Sequence, residues 1–137
     1  MQLTTYLNFG GNCAQALKFY EEHLGGKITQ MGTFGEMPAG PPIPPERKDQ
    51  IIHARITIAG TEIMASDAPP EIFQPMRSVY LSLSVGSNEE AERLYGILSP
   101  GGEIFMKMEE TFFAHRFAML RDRFGVSWMI IHERPTR

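Results

Sequence analysis

Two short amphipathic segments, CAQALKFYEEHLGG and SNEEAERLYGILSPGG, each close on a pair of glycines, and each follows one β-prone run and precedes three more. This order of elements constrains the fold more than any other feature of the chain. In the first segment Ala16, Leu17, Phe19, Tyr20 and Leu24 form an apolar stripe at helical spacing, with Asn12 as the expected cap and Gly25-Gly26 as the stop. In the second, Ser87 is the expected cap, Glu90 completes a capping box, and Pro100-Gly101-Gly102 ends the helix. The runs TTYLNF, KITQMGTF, DQIIHARITI and TEIMASD, then VYLSLSV, EIFMKM, AHRFAML and VSWMIIHE, read as strands. Ala59-Gly60-Thr61 and Asp122-Arg123-Phe124-Gly125 read as tight turns within hairpins.

The chain therefore reads β-α-β-β-β twice within a single domain, the first module over residues 1–68 and the second over 76–134. A helix can cover only one face of each sheet. The expected fold is α+β, two paired βαβββ modules forming a curved mixed sheet around a central cup. Residues 35–49 hold Pro38, Pro41, Pro42, Pro44 and Pro45, too many for a helix or an internal strand, so this Pro-rich loop is read as a stiff excursion or lid over the cup.

Composition narrows the function classes. A chain of 137 residues with 42% hydrophobic and 21% charged residues can bury a core unaided, and no apolar run approaches the roughly 18 residues of a membrane span. MQLTTYLNF lacks a basic stretch followed by an apolar one, so a cytoplasmic protein is expected, without a membrane partner. A net charge of −3 with scattered basic residues argues against a nucleic-acid partner. Cys13 is the single cysteine, which excludes an intramolecular disulfide. It is read as a small, semi-buried residue, with a reactive thiolate at a helix start as the alternative.

If the helices cover the aliphatic strand faces, the opposite faces carry Tyr6, Asn8, His53, Arg55, Thr57, Tyr80, Ser82 and Ser84. On the third strand Ile52, Ala54, Ile56 and Ile58 share the inner face, leaving Ile51 with His53, Arg55 and Thr57 on the other. Such a hydrogen-bonding lining suits a small-molecule ligand. His23, His53, His115 and His132 show no local metal-binding spacing, and the chain has neither a nucleophile elbow nor a P-loop.

YLNFGGNCAQALKFYEEHLGGKI, HARITIAGTEIMASD and DRFGVSWMI, with the order of elements, resemble the PhnB-like branch of the glyoxalase, or vicinal oxygen chelate, superfamily, which also includes bleomycin-resistance and dioxygenase members. The resemblance implies the paired βαβββ fold, commonly a homodimer, and in metal-using relatives a divalent ion held by histidines and glutamates from two strands of each module. Those four positions fall at Thr5 or Tyr6, His53 or Ala54, Tyr80, and Met129. Of these His53 alone is an ordinary donor, and a methionine thioether is a poor substitute for a carboxylate. Trp128 and Met129 are read as core or pocket wall, the indole offering its N–H or face to a ligand.

The expected function is binding of a small anionic or carbonyl-bearing molecule without metal or other cofactor, with Arg55 pairing the anion. The alternatives are a divalent-metal enzyme of lyase, dioxygenase or transferase type, using His53 with His115 or Glu62, and a structural dimer module whose cup is filled by Phe9, Tyr80, Phe117 and Trp128. Methyltransferase activity, an assignment PhnB-like proteins have carried, is not expected, because the chain lacks a glycine-rich strand-to-helix loop with an acidic residue about 20 positions on.

Overall fold

A computed structural model describes residues 1–37, 40 and 42–135, so Pro38 and Pro41 of the Pro-rich loop lie outside the described residues. The chain forms two compact units, Met1–Pro75 and Met76–Arg137. The first contains β1 (Thr5–Phe9), α1 (Cys13–His23), β2 (Lys27–Thr33), β3 (Ile51–Ile58) and β4 (Thr61–Asp67). The second contains β5 (Leu81–Ser84), α2 (Asn88–Leu98), β6 (Glu103–Glu109), β7 (Ala114–Arg121) and β8 (Ser127–Glu133). The sheet orders, β1-β4-β3-β2 and β5-β8-β7-β6, are the same topology used twice. In each module the first strand pairs parallel with the last and the other ladders are antiparallel. This α+β architecture with two mixed sheets is the one expected from the sequence; β5 is shorter than the expected run over 79–85.

In the first unit, α1 buries Cys13, Ala16, Leu17 and Tyr20 against a sheet face made of Leu7, Phe9, Ala54, Ile56, Ile58, Ile63 and Ala65. In the second, Ala91, Leu94 and Leu98 of α2 are buried, as are Ala118, Leu120, Trp128 and Ile130 of the sheet. Each helix leaves the other sheet face without helical cover. The β3–β4 turn places Ala59 and Gly60 at φ of 51° and 79°, as a two-residue turn of the primed type requires; glycine adopts this freely, and Ala59 at a cost of about 1 kcal/mol.

Two local expectations are corrected. Alternation on β3 fails at its start: Ile51 is only 2% exposed while Ile52 is half-buried. The ladder with β2 shifts register between Gly32 and Thr33, which pair with His53 and Ile51, so Ile52 is the extra residue of a bulge. At the start of α1 the Asn12 side chain makes no capping bond. The N-terminal amides of that turn are instead satisfied from a distance. Asp67 Oδ1 accepts from Gly11 N at 2.9 Å and Cys13 N at 3.0 Å, and its Oδ2 accepts from Ile51 N at 2.8 Å. On α2 the expected cap forms, with Ser87 Oγ accepting from Glu90 N at 3.1 Å.

The base of the Pro-rich loop is tied to the same carboxylate strand. Short 3-10 turns occupy Phe34–Glu36 and Pro45–Arg47. Arg47 stacks on Phe34 at 4.4 Å, and donates to Gln50 Oε1 at 2.9 Å and to the carbonyl of Asp67 at 3.1 Å. Asp67 is 2% exposed, so its oxygens have little access to water in place of these donors. Asp67→Ala is expected to lower unfolding stability by about 3 kcal/mol in urea titration, because two buried N–H groups and a third, half-buried one lose a charged acceptor. A loss under about 1 kcal/mol would show that water or relaxed backbone replaces the carboxylate.

Candidate functional site

The open face of the first sheet can be read across its ladders, since directly paired residues project to the same side. Gln30 pairs with Arg55, Arg55 with Met64, and Met64 with Tyr6, giving one row across all four strands. Thr57 pairs with Glu62, His53 with Gly32, and Asn8 with Ser66, giving the flanking rows. Tyr6, Asn8, His53, Arg55 and Thr57 therefore share one sheet face. Gln30, Glu62, Met64 and Ser66 join them. Glu62 is expected from the sequence only as a metal ligand beside His53; Gln30, Met64 and Ser66 are not, because β2 and β4 alternate too weakly to assign a face without the register.

Hydrogen bonding orders this surface. Ser66 Oγ donates to Asn8 Oδ1 at 3.0 Å, and the Tyr6 and His53 rings lie 6.2 Å apart. Arg55 donates to Glu62 Oε1 at 2.7 Å across the β3–β4 ladder, with the two side chains 39% and 42% exposed. The guanidinium expected to hold an anion thus already has a carboxylate. At that exposure the ion pair is weak, of order 1 kcal/mol or less, and a ligand anion could compete for the arginine.

The open face of the second sheet differs in character. Ser82, Met129, Met119 and Met106 lie side by side across β5, β8, β7 and β6. Ser84 pairs with Ile131, and Ile131 with Phe117. Tyr80, just before β5, sets its ring edge-on to Phe105 at 6.3 Å. Trp128 points the other way. It is 1% exposed, and its indole Nε1 donates to Asp122 Oδ2 at 2.8 Å. Asp122 Oδ1 accepts from Phe124 N at 2.9 Å and Val126 N at 3.0 Å, so one carboxylate shapes the glycine turn and fixes the tryptophan after it. Trp128 is core, and the N–H read as an offer to a ligand belongs to the turn.

Of the positions that the resemblance assigns to metal ligands, Met129 and Tyr80 do not suit a divalent ion. Met129 sits between Ser82 and Met119, a neutral and soft neighbourhood, and Tyr80 packs on Phe105. Glu62 holds Arg55, and His115 lies 4.8 Å from the His132 ring with its Nδ1 toward Arg134 at 3.5 Å. Among the described residues no group of three or more His, Cys, Asp or Glu side chains is arranged to hold a metal ion. No described helix is long and apolar enough to cross a membrane.

These features define a helix-backed, twice-repeated sheet with one polar and one methionine-rich open face. The same fold occurs in a glyoxylase/bleomycin resistance protein/dioxygenase domain from Frankia, 16% identical with a TM-score of 0.66 over 100% of this chain and 95% of that one. The chain belongs to the family described as 3-demethylubiquinone-9 3-methyltransferase, whose model matches residues 1–131. It is 37% identical to protein YjdN of Escherichia coli over the full length of both. Protein PA1353 of Pseudomonas aeruginosa is 40% identical, with a TM-score of 0.87 over 98% of this chain and 99% of the other. A PhnB protein of Bacillus cereus, described as a putative 3-demethylubiquinone-9 3-methyltransferase, is 26% identical with a TM-score of 0.82 over 96% and 99%.

Cys13 is fully buried, and burial, followed by the nearby Asp67 carboxylate, pushes its thiol up from 9.0 to about 12. It remains protonated at neutral pH, contrary to the reactive-thiolate alternative. Because the folded value lies above the unfolded one, the thiol's contribution to stability is intact below pH 9 and is lost as pH rises toward 12. Native protein at pH 8 should react with iodoacetamide about a hundredfold or more slowly than urea-unfolded protein, as followed by mass spectrometry. Comparable rates in the two states would contradict the burial.

Proposed function

We propose that this protein binds a small anionic or carbonyl-bearing organic molecule on its open sheet surface, without the four-ligand metal set of its metal-using relatives. The supporting observation is the polar face shared by Tyr6, Asn8, His53, Arg55 and Thr57, which α1 does not cover. Tyr6, Asn8 and His53 supply hydrogen-bonding groups for a carbonyl, and Arg55 supplies a cation held by a weak, exchangeable partner. The Pro-rich loop, anchored through Arg47, would close over the ligand.

A second reading, a divalent-metal-dependent enzyme of lyase, dioxygenase or transferase type, draws on His53, an ordinary ligand at a position where metal-using relatives carry one. Methyl transfer, named in the family description, is not part of the proposal. The glycine turn before α1, where a cofactor anion would meet backbone N–H groups, already gives Gly11 N and Cys13 N to Asp67. The sheets are mixed, unlike the parallel sheet of nucleoside-cofactor folds. The proposal extends to a homodimer, as the resemblance implies, and to a cytoplasmic location.

A panel of small carboxylates, phosphonates, aldehydes and ketones, screened by isothermal titration, tests the reading. At least one should bind, and His53→Ala or Arg55→Ala should weaken it about tenfold, the size of one lost polar contact. A panel without a binder sensitive to either substitution would overturn it. One divalent ion per chain in untagged protein, lost in His53→Ala, would favour the metal-dependent reading instead.

A further inference from the structure

We propose that the second module carries an oxyanion clamp of its own, built from Arg77 and Arg121 on the face of Phe105. The inference rests on the ligand class proposed above and concerns its oxyanion. The Arg77 guanidinium lies 4.2 Å from the Phe105 ring centroid and that of Arg121 lies 5.9 Å away, so one ring carries two cations. Tyr80 meets the same ring edge-on. A guanidinium held over an aromatic face can still turn in-plane N–H groups toward a planar or tetrahedral oxyanion, and Arg121 already gives one of its own to Glu103.

Charge is unbalanced at this point. Arg121 has one carboxylate partner, Glu103 at 3.4 Å, more than half exposed, whereas Arg77 makes no ion pair among the described residues. In a chain of net charge −3, two neighbouring guanidiniums with one carboxylate form a local cationic focus. Arg55, by contrast, is held by Glu62 at 2.7 Å.

One further observation falls on the same cluster. Ser78, next to Arg77, has φ of 66°, a left-handed conformation that a non-glycine residue adopts at a cost, and such strain gathers at ligand clamps.

Benzoate and phenylphosphonate separate the planar from the tetrahedral oxyanion and supply a ring that can stack beside Phe105; a neutral probe, benzaldehyde, reports on the carbonyl part of the proposed ligand class. Binding to wild type, Arg77→Gln, Arg121→Gln and Arg55→Ala is measured by isothermal titration, with circular dichroism melting to confirm folding. The expected result is binding of benzoate or phenylphosphonate that weakens at least tenfold in Arg77→Gln and in Arg121→Gln, by more than in Arg55→Ala, and falls as salt rises. Binding that survives both glutamine substitutions but is lost in Arg55→Ala would overturn the clamp and leave the ligand class standing. Binding of benzaldehyde alone would overturn the clamp while retaining the carbonyl reading, and binding of none of the three would overturn the clamp and count against the ligand class itself.

Discussion

The buried carboxylate of Asp67 is the contact on which the first module depends. It ties the turn before α1 and the start of β3 to the end of β4, three points distant in sequence, through charge-assisted hydrogen bonds to backbone N–H groups. A negative group at the first turn of α1 also complements the helix dipole. Because the carboxylate fixes how α1 leaves β1, it fixes which sheet face the helix covers and which stays open. The open face of this module therefore depends on a residue that does not belong to it. Asp122 performs the local counterpart in the second module, joining the glycine turn to the Trp128 indole.

The two modules share a strand order but not a surface chemistry. On the first sheet the uncovered face carries an arginine, a histidine, a tyrosine and amide or hydroxyl groups; on the second, three methionines lie in a row beside Ser82. Thioether side chains are flexible and polarisable, suited to an apolar surface of no fixed shape, whereas hydrogen-bonding groups impose orientation. Repetition of the backbone has left the strand faces free to specialise.

Hydrophobic spacing carried most of the architecture into the sequence: both helices, all eight strands, the Ser87 cap and the two hairpin turns are local patterns with local causes. What the sequence concealed are interactions between distant residues. Nothing near Asn12 indicates that Asp67 supplies the acceptor for that turn, and nothing in IIHARITI marks Ile52 as a bulge, because the register is set by β2. The polar set Tyr6, Asn8, His53, Arg55 and Thr57 was legible because strand alternation places side chains without reference to partners. The pairing of Arg55 with Glu62 and of Trp128 with Asp122 was not, because composition does not tell a carboxylate which donor it will meet.

The parallel pairing of β1 with β4 has a consequence for the order in which the chain can fold. Asn8 meets Ser66, 58 residues further on, whereas β3 and β4 meet across a two-residue turn. The hairpin is available as soon as it is synthesised, but β1 and the first turn of α1 must wait, since their acceptors and ladder partners lie in residues 61–67. Loop closure of that length costs entropy before any contact is gained. The amino-terminal strand is thus the first part of this module to leave the ribosome and among the last to be hydrogen-bonded into its sheet.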